Sequence, residues 1–142
     1  MLKRKATAAS LRADEKAVKA EVTKRDGQKV CRLDPDCKHV KVGIRVEGVH
    51  LDSKGLGGDH GVRTQQHLML RGCFIHHQGV RSIHSGDLRV KFLTDKCADG
   101  PIALERSEIE RDTDTGEQRK VWIEFARERA IGVWMTAKER AR

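Results

Sequence analysis

"CFIHHQGVRSIHSGDLRV", residues 73–90, sets one cysteine and three histidines within twelve positions and then alternates polar and apolar residues as a strand does. Imidazoles at this density are either a polar loop or a set of metal ligands. Their distribution favours ligands. All seven histidines (His39, His50, His60, His67, His76, His77, His84) share one window with Cys31, Cys37 and Cys73, while Cys97 stands apart. Two short loops each offer a pair of soft donors, Cys31-x5-Cys37 and Cys73-x2-His76. A structural zinc takes four such ligands, commonly as two pairs from separate turns. The spacing therefore predicts a structural Zn²⁺ held by Cys31, Cys37, Cys73 and His76, with His39 and Cys97 as reserve ligands. The gap of five between Cys31 and Cys37 is long, but Pro35 folds it back.

Composition points the same way. Of the 142 residues only 37% are hydrophobic and 4% aromatic, with no tyrosine. One domain with a modest core fits that length, and thin cores often recruit a metal. No apolar run approaches the ~20 residues of a membrane span. The opening "MLKRKATAASLRADEK" lacks the apolar segment of a secretory signal, so the expected location is cytoplasmic, where thiols bind metals more often than they form disulfides. The net charge of +8 is uneven: residues 1–30 carry nine Lys/Arg against four Asp/Glu, whereas residues 101–142 carry nine of each. A basic front fits a polyanion partner.

Working outward, residues 6–25 lack Gly and Pro and set Leu11, Val18 and Val22 near helical spacing, which predicts a helix closed by Gly27. "CRLDPDC" (31–37) reads as a tight loop. "HVKVGIRVEGVHL" (39–51) reads as strand, with a break at Gly43. "KGLGGD" (54–59) is a turn; no Lys-Ser/Thr follows it, so a phosphate loop is not indicated. "HLML" (67–70) is a short strand or a helix start, and "LRVKFL" (88–93) a strand. "IALERSEIER" and "QRKVWIEFARE" flank "DTDTGE" (112–117) as a hairpin would, although 117–130 also reads as a helix.

Taken in order, "CRLDPDC", "VHLDSKGLGGD" (49–59), "HLMLRGCFIHH" (67–77) and "IHSGDLRV" (83–90) resemble the HNH nuclease family, in the variety with a zinc knuckle around its catalytic hairpin. The resemblance covers about residues 20–93. It implies an α+β fold: a ββα-metal (HNH) hairpin-plus-helix core around the zinc knuckle, with an N-terminal helix and a C-terminal β-hairpin extension. The corresponding division is a basic arm or helix at 1–19, a nuclease domain at 20–100 and the extension at 101–142. The implied activity is metal-dependent hydrolysis of DNA, with double-stranded DNA as partner. By resemblance His50 is the general base, His67 stands where the family has an orienting Asn, and His77 and His84 hold a catalytic divalent cation (Mg²⁺, Mn²⁺ or Zn²⁺). Lys3, Arg4, Lys5, Lys24 and Arg25 are the expected phosphate contacts.

The sequence departs from the family in three places. Val49 occupies a usual metal-ligand position; His67 replaces the Asn; and six residues separate His77 from His84, so "QGVRS" must loop out. Asp52, Asp59, His60 and His67 are the side chains that would complete a weak cation site. A nucleic-acid-binding zinc module that keeps the fold without cleavage is the alternative reading, and a zinc-stabilised interaction domain a third.

Overall fold

The computed structural model describes residues 7–51 and 65–141. Lys3, Arg4, Lys5, Asp52, Asp59, His60 and the glycine turn at 54–59 lie outside the described residues.

Helix α1 (Ala8–Asp26) begins at Thr7, whose hydroxyl accepts the N–H of Ser10 at 3.2 Å, and ends at Gly27, whose N–H reaches Thr23 O at 2.8 Å. Gly27 takes φ 103°, a conformation open to glycine and strained for other residues. Lys24 and Arg25 fill the last turn, where cations favour the helix dipole. The helix is mostly exposed; Val22 is its buried anchor.

Strands β1 (Val46–His50) and β2 (Met69–Cys73) pair antiparallel, with Val46 opposite Cys73 and His50 opposite Met69. The five-residue helix α2 (Phe74–Gln78) follows β2 directly. A second antiparallel sheet has the order β3 (Leu88–Phe92), β4 (Ile102–Arg111), β5 (Gln118–Ala130), β6 (Val133–Trp134), and a short helix α3 (Ala137–Arg140) closes the described chain. The fold is thus mixed helix and sheet, α+β. Helix α1 runs through residues 19 and 20, and β3 pairs with β4 across residues 100 and 101. No described helix is long and apolar enough to cross a membrane.

The β4–β5 hairpin is the one anticipated from "DTDTGE", and 118–130 is strand rather than helix. The turn closes because Asp112 accepts the N–H groups of Asp114 and Thr115 at 2.7 and 3.0 Å, while Gly116 takes φ 73°. The expected strand over 39–51 is corrected: only 46–50 is strand. Residues 40–42 form a 3-10 turn and Gly43 sits at φ 88°, which breaks the extended chain and carries His39 back toward the cysteines.

One core joins the two sheets. Leu33, Val49 and Leu70 of the hairpin region are fully buried with Ile102 and Leu104 of β4, and Cys31, Cys73, Leu88, Ala98 and Ala126 complete the cluster. Through it runs a buried ionic clasp. Arg32, 1% exposed, donates to both Glu128 oxygens, to Asp26 and to the carbonyls of Ala98 and Gly100. Glu128 also accepts the N–H groups of Ile102 and Gly132 at 3.0 and 2.7 Å. Each buried charge therefore has partners, the condition for tolerating it.

Candidate metal centre

Cys31 precedes Arg32, whose N–H bonds Arg71 O at 2.8 Å, so the first loop is stitched along the edge of β2 and brings Cys31 beside Cys73. Asp34 Oδ1 accepts the N–H of Asp36 at 2.8 Å, turning the chain so that Cys37 returns. Cys73 caps α2 and His76 lies one turn on. The result is one group. Cys31, Cys37, Cys73 and His76 place their ligand atoms within 4.8 Å of one another, and no other set of three or more Cys, His, Asp or Glu side chains among the described residues does so.

His76 Nδ1 lies 3.1 Å from Cys73 Sγ and 3.4 Å from Cys31 Sγ, and the Sγ atoms of Cys37 and Cys73 are 3.8 Å apart. A tetrahedron with zinc's bond lengths has edges of about 3.4–3.8 Å. The four side chains are positioned to bind a metal ion, and the donor set is consistent with structural zinc.

The surroundings suit that occupant. Backbone N–H groups of Cys73 and His76 point at the sulfurs of Cys31 and Cys73, both at 3.3 Å, which favours thiolate. Burial, with the neighbouring sulfurs, pushes the Cys31 and Cys73 thiols up from their ordinary range. A divalent cation among them reverses that, because its charge outweighs the desolvation. Burial lowers the His76 pKa, keeping the ring neutral, as a ligand must be. Its other nitrogen, Nε2, is 3.4 Å from Asp34 Oδ2, an ion-pair distance that sets a negative charge beside the ring. His39 stands close by, with Nδ1 3.4 Å from Cys73 Sγ, whereas the Sγ of Cys97 turns to Asp95 O at 3.6 Å.

A second histidine pair joins the next residue of α2 to the loop beyond it. His77 is buried, His84 is exposed, and their ring centroids are 4.4 Å apart, edge to face. The intervening loop doubles back: the N–H groups of Ile83 and His84 bond the carbonyls of His76 and His77, each at 3.0 Å. Ser82 and Ser85 lock it by exchanging N–H···Oγ bonds of 2.7 and 3.1 Å. That is how six intervening residues bring the two rings together.

His77 Nδ1 lies 2.5 Å from Glu47 Oε1, which Gln78 Nε2 also approaches at 2.9 Å. Burial would raise the Glu47 pKa, but bonds from His77 and Gln78 and the nearby charges carry it below the usual range. Sequence reasoning missed Glu47 and Asp34. Asp34 reads as a turn former, and the signal for Glu47 is strand parity, which sets it on the face of Val49.

His50 ends β1, half-buried, and His67 sits on a 3-10 turn before β2. Strand alternation turns His50 to the face opposite Glu47 and Val49. Val49 is fully buried among Leu33 and Leu70 and has no access to a cation. Lys24 is exposed, but Arg25 is committed internally: its guanidinium bonds Asp26, Asp99 and the carbonyls of Gln66 and Met69. Arg25 therefore leaves the set of expected phosphate contacts. Comparisons with protein-family models, curated proteins and solved structures return no match to this chain.

Proposed function

We propose that this chain is a metal-dependent endonuclease of double-stranded DNA, an HNH-like ββα unit organised by a structural zinc at Cys31, Cys37, Cys73 and His76. The observation that carries the reading is the second histidine pair. The rings of His77 and His84 stand 4.4 Å apart at the end of the β1–β2 hairpin where β2 runs into α2, while His50 lies at the other end of β1. A structural zinc has no use for that pair.

In this reading His77 and His84 hold a divalent cation, Mg²⁺, Mn²⁺ or Zn²⁺. Such a cation supplies charge stabilisation to the phosphoryl oxygens and the leaving oxygen. His50, as neutral imidazole taking the proton from the attacking water, is the base by resemblance alone, since the strand sets it on the face opposite Glu47 and at the end of β1 away from α2. His67 stands where the family has its orienting Asn. Lys24, with Lys3, Arg4 and Lys5, contributes phosphate contacts whose strength falls as salt rises.

The burial of Val49 favours one alternative, a DNA-binding zinc module without cleavage. Supercoiled plasmid incubated with Mg²⁺, Mn²⁺ or EDTA separates the two. Metal-dependent nicking is expected, and His50→Ala should lower it by roughly 10²–10⁴-fold, the usual contribution of a general base. His77→Ala and His84→Ala should lower it as well. Wild-type protein that binds plasmid but never cuts it, in any metal, makes the chain a binding module. Cutting that survives His50→Ala removes the assigned base.

A further inference from the structure

Val49 leaves the His77/His84 pair short of a ligand on β1, and the same strand face offers one carboxylate, Glu47. Resting on the nuclease reading above, we infer that Glu47 is a positioning residue: its carboxylate accepts the Nδ1–H of His77 and so turns the Nε2 lone pair of that ring to a divalent cation shared with His84.

Chemistry and geometry agree on this role. An ionised carboxylate only accepts hydrogen bonds, so a nitrogen 2.5 Å from it carries the hydrogen. The neutral ring then has its lone pair on Nε2. Glu47 is itself held from two sides, by Gln78 Nε2 at 2.9 Å and by Arg45 Nε at 3.4 Å from its second oxygen. The ring of His77 is buried and its rotation is restricted by the edge-to-face contact with His84. Glu47, His77 and His84 are not among the groups whose ligand atoms converge within 4.8 Å. In this reading the carboxylate bonds Nδ1 and leaves Nε2 to the cation. Asp34 stands in a looser version of this relation to His76, 3.4 Å from its Nε2. Two adjacent histidines on one helix thus each have a carboxylate from a different part of the chain, Asp34 from the knuckle loop and Glu47 from β1.

The test uses full-length protein loaded with zinc, titrated with Mn²⁺ and followed by electron paramagnetic resonance of the free ion. Mn²⁺ binds such sites more weakly than zinc and leaves the knuckle filled. Wild-type protein should bind one Mn²⁺. Glu47→Ala should weaken that binding by about 10–100-fold and Glu47→Gln by less, with zinc content unchanged. Nitrogen chemical shifts of the metal-free second site add a readout that packing alone does not move. His77 should show the Nδ1–H tautomer in the wild type and lose that preference in Glu47→Ala. Should Glu47→Ala fail to fold, Glu47→Gln carries both readouts. Equal Mn²⁺ affinity and an unchanged tautomer in the folded variants overturn the role of Glu47 alone, while metal-dependent cutting persists. Wild-type protein that takes up no Mn²⁺ overturns it too, and a parallel plasmid assay then shows whether the nuclease reading falls with it.

Discussion

The two sheets are held in different ways. In the second, β3 to β6 form antiparallel ladders, with register shifts after Leu104 and Glu128, over an apolar face of Ile102, Leu104, Leu88 and Ala126. The first is a hairpin of five-residue strands, and the loops around it contribute cysteines and histidines where a larger domain would supply leucines. Isolated two-stranded hairpins are marginal in water. Ladder and burial hold one region; the other shares that core through Leu33, Val49 and Leu70, and the proposed zinc would add ligands pulled to a common centre. The Cys/His cluster and the His77/His84 pair both lie in that hairpin region and the loop that follows it.

The largest expected effect breaks the first region. Binding free energy at a structural zinc is largely folding free energy, about 10–16 kcal/mol in isolated finger peptides. Cys31→Ser, or chelation of the wild-type protein, should abolish amide-exchange protection in β1 and β2. Exchange in the paired stretch of β4 and β5 should change far less; equal loss in both sheets would mean the regions are not distinct.

The next effect breaks the join. Arg32 and Glu128 have side chains 1% and 0% exposed and lie 2.7 Å apart. Removing one partner of such a pair leaves a buried charge uncompensated, so Arg32→Ala should cost about 3–5 kcal/mol in urea unfolding. A loss below about 1 kcal/mol, the scale of a surface pair, would remove the clasp from the account.

Asp34→Asn sharpens the metal side. Asparagine can still accept the N–H of Asp36, but it loses the charge facing His76 Nε2. Zinc affinity, measured against a competing chelator, should fall by about tenfold or more, with the fold intact when zinc is saturating. Unchanged affinity would make Asp34 a turn former and nothing else.

The smallest effect is at the loop that carries His84. Asp87 accepts the Ser107 hydroxyl at 2.7 Å, tying that loop to β4, and this bond foremost lowers its pKa. A lowered folded-state pKa means stability that is present above the unfolded carboxylate range and lost as pH falls through the folded value. Melting temperatures of Asp87→Asn should therefore decline less steeply than wild type as pH falls below about 4. Parallel curves would show that the bond contributes nothing.

Much of the metal centre is legible in sequence because metals accept few donor types, and paired Cys/His loops advertise them. The β4–β5 hairpin is legible for a similar local reason, since Asp112 and Gly116 encode their own turn. What escapes is long-range. Val40, Val42 and Ile44 alternate as a strand does, yet Gly43 turns the chain and His39 ends beside Cys73. Arg25 looks free for phosphate, but its acceptors at Gln66, Met69 and Asp99 come from distant segments. Arg32 and Glu128 are 96 residues apart, and neither has a local pattern that names its partner. Glu47 is an intermediate case. Alternation sets it on the face of Val49, but only the folded α2 brings His77 to it.

The central claim is that the Cys31, Cys37, Cys73 and His76 group is a zinc site on which the hairpin depends. Elemental analysis of protein purified without added metal, alongside its thermal unfolding, tests this most directly. About one zinc per chain is predicted, lost together with thermal stability in Cys73→Ser. Wild-type protein that contains no zinc, and a Cys73→Ser variant that melts where the wild type does, would contradict it.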